Sequence, residues 1–244
     1  MQLKTTYKEI WNVAYPLMLS SVAQTIINVT DTAFLGRVGE IELGASAIGG
    51  LFYFVLIFIG SALGVGCQIM IARKTGEKND SQVGEIFDHG IYLQIAMSII
   101  LFIVLEFISP VLLKHFLNSD KIFHASMEFI GYRSWGVFFA LIGISFRSFY
   151  VGIAKTSVLT WSTGFMAIVN VIFNYCLIFG NFGFPKMGIA GSALASNISE
   201  IAVILFFIGF TLYKIDIRYF NLFRFNVLNI SLIKKTIKTC FLYH

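Results

Sequence analysis

Three carboxylic acids stand where a carboxylate is costly: Asp31, Glu106 and Glu200 each fall inside a long apolar stretch of the sequence. An acidic side chain in hydrocarbon costs on the order of 3 kcal/mol by insertion scales, which makes each of them a suspect for function. Asn170 and Asn174 lie one helical turn apart, as do Ser196 and Glu200. Residues at i and i+4 share a helix face. Counted from the outer ends of their stretches, Asp31, Asn174 and Ser196 come at comparable depth, and Asn170 and Glu200 about one turn deeper. Glu106 is close enough to its outer end to reach the interface, which is its expected position.

Brought together, Asp31, Asn170, Asn174 and Ser196 would form one polar pocket, with Glu200 as a second titrating group. Oxygen ligands suit a hard cation, and a buried carboxylate can exchange a proton in a useful range. The expected chemistry is reversible binding of H+ or of Na+, with Na+ held at Asp31, Asn170 and Asn174. The asparagines and Ser196 could alternatively serve only to join helices by interhelical hydrogen bonds.

The elements that must position these groups are membrane spans. The sequence is 57% hydrophobic and 13% charged, far from the roughly one quarter charged of a soluble domain. Apolar stretches near 11–35, 46–72, 90–113, 129–150, 157–180 and 188–213 each exceed the ~20 residues that cross a bilayer as a helix. Helix is required, because an isolated strand in lipid leaves its backbone groups unpaired. The expected fold is an all-α integral membrane protein of six transmembrane helices. The first stretch runs past a signal-like Ser21-Val22-Ala23 to Leu35, which predicts an uncleaved span.

Basic residues set the orientation. Arg37, Lys114, Lys121, Arg133 and Lys186 fall in one set of alternate loops, and the other 13 of the 18 Lys and Arg fall in the opposite set. The positive-inside bias places the richer set, with both termini, in the cytoplasm of a multi-pass plasma (inner) membrane protein. The formal charge of +5 is spread between apolar segments and forms no patch for nucleic acid. Cys67, Cys176 and Cys240 have no metal or redox spacing. His89, His115, His124 and His244 sit at span ends or in loops, and there is no G-x-S-x-G or H-E-x-x-H. An enzyme is therefore not expected, nor a cofactor. Small residues such as Gly60, Gly64, Gly191 and Ala195 suit close helix packing, Pro16 could bend the first span, and most of the 26 phenylalanines are expected to face lipid.

Five strings in order resemble the multidrug and toxic compound extrusion (MATE) family of the MOP superfamily. They are DTAFLGRVG at 31–39 after Pro16, LGASAIG at 43–49, ARKTGEKN at 72–79, FRSFYVGIAKT at 146–156, and NVIFNYCLIFGNFGFPKMGIAGSALAS at 170–196. The resemblance implies a multidrug efflux antiporter, a xenobiotic transporter that exports bulky, often cationic compounds against inward H+ or Na+. It implies that Asp31 is the cation-coupling aspartate of the first span, with Asn170 beside it. Asn174 places the sequence on the NorM-like side, Ser196 stands where threonine is usual, and Glu200 matches no motif residue of the family.

Family members carry two six-helix lobes, and this length supplies one. Residues 1–213 are expected to be the N-terminal lobe, and 214–244 a cytoplasmic inter-lobe linker with a truncated approach to a seventh span. The expected partners are a small organic cation, membrane lipid, and a second six-helix half or a second copy of the chain. A lipid-linked saccharide flippase of the same superfamily, which would need a strongly cationic cavity, and a non-transporting truncated membrane protein are the alternatives.

Overall fold

The computed structural model describes residues 7–224, 229, 231–234 and 236, the side chains of Lys8 and Glu9 excepted. The expected approach to a seventh span at 241–244, together with Cys240 and His244, lies outside the described residues. Among the described residues these α-helices follow one another: α1 Tyr7–Val38, α2 Glu40–Gly76, α3 Asp80–Ile103, α4 Ser109–Phe116, α5 Asp120–Ser134, α6 Gly136–Gly152, α7 Ser157–Phe179, α8 Gly188–Lys214 and the short α9 Ile217–Phe220. Among the described residues no strand occurs.

Five helical units are long and apolar enough to cross a membrane: Ile10–Val38, Glu40–Gly76, Asp80–Phe116, Ser157–Phe179 and Gly188–Lys214. The bent pair α5 and α6, which meet at 49°, makes a further span when counted as one, the fourth in chain order. The chain is thus an all-helical, multi-pass membrane protein. The fourth span differs from its expected limits of 129–150, because it begins at Asp120 and breaks between Ser134 and Gly136. The second span begins six residues earlier than the apolar run predicts, since Glu40 and Glu42 lie in its first turn, where acidic side chains favour the positive end of the helix dipole.

The third span also carries an irregularity. Between α3 and α4, Val104–Ile108 form a π-helical turn, and the Ser109 N–H reaches back to the Val104 carbonyl. Pro110 follows at once. A proline removes the amide that would bond four residues back and crowds that carbonyl, and a wider turn accommodates the defect. Glu106 sits in the middle of this turn.

Packing follows membrane rules, in which apolar burial separates helices from lipid with little gain and close contact with polar ties holds them together. The α7 and α8 helices pack closely because Gly191 has no side chain: a Cβ there would lie 2.7 Å from the Leu177 carbonyl. Thr156 Oγ1 and Thr160 Oγ1, at the start of α7, donate to the carbonyls of Val13 (3.1 Å) and Pro16 (2.8 Å) on α1. The first helix runs unbroken through Pro16. Gln94 Nε2 ties α3 to the Gly60 carbonyl of α2, and Tyr150 and Thr211 share a hydroxyl bond of 2.7 Å between α6 and α8.

Two apolar clusters fill the lobe. One gathers Phe87, Phe146, Phe149, Tyr150 and Phe207, and the other Leu35, Tyr53, Leu101, Leu141 and Ile178. The phenylalanines are therefore not simply a lipid-facing coat: Phe87 meets Phe146 edge-on at 5.3 Å, and Phe146 stacks on Phe207 at 5.5 Å. Others, such as Phe54, Phe58 and Phe107, are exposed on the outside of the helices as expected.

The segment after α8 turns back onto α3. Tyr219 donates its hydroxyl to Asp80, the Phe223 amide donates to Asp88 Oδ1 at 3.0 Å, and the Asn229 amide donates to His89 Nε2 at 2.8 Å.

Candidate functional site

Asp31 lies two turns before the end of α1, on the side facing α7. There Asn174 donates its amide to Asp31 Oδ1 and also to Asn170 Oδ1, the latter at 2.9 Å. Both asparagines have no exposed surface. The helix makes this possible: a spacing of four residues stacks Asn170 and Asn174 on one face of α7, and that face is the one α1 covers.

Among the described residues, two buried polar atoms of this group have no hydrogen-bond partner, the acceptor Asn174 Oδ1 and the donor Asn170 Nδ2. A buried amide oxygen left unbonded costs about 1–3 kcal/mol, so its persistence beside a carboxylate points to a ligand that would satisfy it. The donor set is one carboxylate and amide oxygens, all hard oxygen ligands of the kind an alkali cation or a proton requires. Among the described residues no group of three His, Cys, Asp or Glu gathers as a transition-metal site would need.

Beside this cluster the outer face of α1 carries three polar side chains among exposed apolar ones such as Val22, Ile26 and Val29. Thr25, Asn28 and Thr32 are exposed and, with Val29 and Ala33, line an open groove of about 390 Å³. Thr25 and Thr32 satisfy their hydroxyls on the carbonyls one turn back, Ser21 and Asn28. Asn28 precedes Asp31 by three residues, which puts it on the neighbouring strip of the same helix. A polar strip of this kind on a span suits water or protein better than lipid.

Ser196 is not part of the hydrogen-bonded group. It is half-buried on α8, where its backbone carbonyl accepts from Ser199 Oγ at 2.8 Å. Glu200 is likewise elsewhere, in an ion pair that sequence reading missed. Arg133 of α5 reaches Glu200 with both terminal nitrogens and donates to Asn197 Oδ1 at 2.6 Å. Its guanidinium also lies 4.0 Å from the centre of the Tyr53 ring. The two charged side chains are only 11% and 10% exposed.

Arg133 is therefore not a loop residue, as its place among the outer basic residues suggested, but part of a span. Arg147 too lies inside α6. The signal was available: Arg133 stands a few residues inside the apolar run at 129–150, and Glu200 is mid-span, and opposite charges within a membrane pair with one another. Gly136 makes room for the pair, since a Cβ there would overlap both the guanidinium and the Asn197 amide oxygen. Asn197 Nδ2 in turn donates to the Tyr132 carbonyl at 2.6 Å, and so binds backbone beside the α5–α6 break.

Glu106 is half-buried near the outer end of the third span and has a partner on another helix. Its Oε1 accepts from Ser134 Oγ, at the other side of the same break. The bend in the fourth span is thus braced by one carboxylate from the third span and one from the sixth.

The lobe is thus a bundle of membrane spans with a half-buried carboxylate and two buried asparagines between its first and fifth spans. The MatE family model matches residues 16–176, two thirds of the chain, and the chain belongs to this family. It is 28% identical over 242 residues to a probable multidrug resistance protein NorM of Listeria innocua, covering 97% of this chain and 53% of that protein. A probable NorM of Mesorhizobium japonicum is 31% identical over 192 residues, 77% of this chain and 40% of its own. The fold matches the outward-facing conformation of a multidrug resistance MATE family transporter of the MOP superfamily with a TM-score of 0.84 at 18% identity, over 98% of this chain and 55% of that one. A MATE crystal structure in the bent conformation matches with a TM-score of 0.85 at 19% identity, over 96% and 51%. The chain spans about half the length of the curated relatives it matches.

Proposed function

We propose that this lobe is the cation-coupling half of a secondary antiporter, one that exports bulky, often cationic organic compounds in exchange for inward H+ or Na+. The observation that carries the reading is the Asp31 carboxylate held by buried Asn174, whose own amide oxygen is left unbonded. Asp31 supplies the charge that a cation or proton neutralises, and Asn174 and Asn170 supply neutral oxygens. The groove on α1, largely apolar with Thr25, Asn28 and Thr32 in its lining and within a turn of Asp31, is the surface a substrate would meet. Cation and substrate then compete for one region, and exchange follows if the two conformations of the carrier differ in affinity for them.

A parallel-repeat carrier moves its substrate between two halves, so the working transporter pairs this lobe with a second six-helix half, either a different one or a second copy. Residues 1–213 form the lobe in this reading, and 214–244 the cytoplasmic linker toward that half. The excess of Lys and Arg in one set of connections supports a cytoplasmic location for both ends of this chain in the inner membrane.

The test is efflux of a fluorescent dye cation from cells expressing the chain joined to a second MATE half. Asp31→Asn keeps the shape and the hydrogen-bonding reach but removes the charge. The expected result is loss of ion-driven efflux at unchanged membrane abundance; efflux equal to the unsubstituted protein rules Asp31 out as the coupling site.

A further inference from the structure

His89 stands near the start of α3, buried, with both nitrogens of its ring in use. Nδ1 lies 2.7 Å from the Glu85 carbonyl oxygen. A carbonyl can only accept, so Nδ1 carries the hydrogen. Nε2 lies 2.8 Å from the amide nitrogen of Asn229, which can only donate, so Nε2 keeps its lone pair. These two neighbours admit one form of the ring, the neutral tautomer with its hydrogen on Nδ1. Imidazolium carries a hydrogen on each nitrogen and would set two N–H groups against each other at Asn229.

We infer that His89 is a proton-operated latch for the segment that follows α8: neutral, it holds Asn229 against α3, and protonated, it lets the segment go. The inference stands on these contacts and not on the reading of Asp31. On α3 the ionisable neighbours are Glu85, whose Oε1 accepts from Asn229 Nδ2 at 3.2 Å, Asp88, whose Oδ1 accepts from the Phe223 amide at 3.0 Å, and Tyr92, whose ring meets the imidazole edge-on at 5.9 Å. From α2, Cys67 packs under Gly90, and α6 offers the uncharged rings of Phe146 and Phe149 to Phe87. On the segment itself the cations Arg218, Arg224 and Lys234 are exposed. Glu85 is placed to accept from the N–H that protonation adds, because its Oε1 already meets the residue that Nε2 meets. A protonated ring thus takes both partners from Asn229 at once.

The start of α3 is shaped to seat the segment. At Gly84 a Cβ would overlap the carbonyl oxygens of Phe220 and Asn221, so the backbone passes directly against the helix. Leu222 is buried, and the Phe223 ring meets Phe87 edge-on at 5.7 Å. Shape holds the first part of the segment, and the proton acts on the part at Asn229. Imidazole is the side chain that ordinarily changes charge between about pH 5 and 8, whereas free carboxylates change near about pH 4. The sign follows from the tautomer: the latch is closed at neutral pH and opens as pH falls. In the orientation proposed above, this end of α3 faces the cytoplasm, so cytoplasmic acid would free the linker toward the second half.

The test is hydrogen–deuterium exchange of the full chain in lipid nanodiscs, read by mass spectrometry at about pH 7.5 and about pH 5.5 and corrected for the exchange of free amides. Protection of the peptide that carries Asn229 is expected to fall about tenfold in acid, as the loss of one hydrogen bond implies, while that of α7 is unchanged. His89→Gln offers an oxygen in place of Nε2 and cannot titrate, and is expected to stay protected at both pH values. Gly84→Ala displaces the segment by bulk and is expected to lack protection at both. In the unsubstituted chain with nitrogen-15 in its histidine rings, the His89 Nε2 resonance should report proton uptake over the same pH interval as protection is lost. Equal protection at both pH values, a fall that persists in His89→Gln, or a ring that stays neutral through the fall overturns the inference. Should His89→Gln release the segment at both pH values, the ring resonance decides.

Discussion

Asn174 donates its amide to Asp31 across the contact between α7 and α1 and at the same time donates to Asn170 one turn below, so a single side chain fixes the carboxylate and aligns the second asparagine. Asn174→Ala removes both bonds in a buried place. Leaving a charged acceptor without its donor costs about 1–3 kcal/mol. The expected outcome is a lower melting temperature of the lobe in detergent, and a larger loss of ion-driven efflux than of abundance, measured in the same cells.

The Arg133–Glu200 pair should show the asymmetry of buried ion pairs. Removing one partner strands the other and costs about 3–5 kcal/mol, while replacing both with uncharged groups of similar volume is far milder. Thermal unfolding of Arg133→Met, of Glu200→Gln and of the double variant gives a direct comparison. The double variant is expected to unfold above either single one.

Gly136→Ala tests the room left at the break. The added methyl meets the guanidinium and the Asn197 amide oxygen, and overpacking of a fitted site costs about 1–3 kcal/mol. Gly143→Ala, on the same helix with open space around it, is the control and should unfold like the parent.

Outside the membrane, Tyr219 donates to Asp80, and the carboxylate pushes the Tyr219 phenol above the ordinary tyrosine range by hydrogen bond and by charge. A group whose folded value is raised stabilises the fold below its unfolded value, near ~10 for tyrosine, and that contribution disappears as pH rises past the folded value. The Tyr219–Asp80 contact is therefore full at neutral pH and opens in strong alkali. The ultraviolet difference between the chain and Tyr219→Phe, followed against pH, should show one phenol titrating later than free tyrosine.

The spans were legible because apolar length in a bilayer leaves helix as the only state. The contact of Asp31 with Asn174 could be anticipated from depth alone, since both lie at similar distance from the outer ends of their helices. Ser196 shared that depth but not the direction, and depth carries no information on which way a helix is turned. Arg133 was misplaced for a related reason. Counting charges by loop treats every Arg as solvated, although one that meets an acid of another span can stay within it. The break at Ser134–Gly136 had no periodic signature, because it is braced by side chains from distant helices, and the π turn at Glu106 was marked only by Pro110, which does not by itself say how the helix will absorb it.

The segment that follows α8 hangs from α3 by Tyr219, Phe223 and Asn229, with partners Asp80, Asp88 and His89. A pull on residues beyond Asn229 is thus delivered to the foot of the third span, and through Thr236 Oγ1 on Met70 Sδ to the second, ahead of the sixth, which they follow in sequence. The third span leads upward to Glu106 and so to the far side of the Ser134 break. Tension applied at one face of the membrane has a continuous rod along which to reach the other.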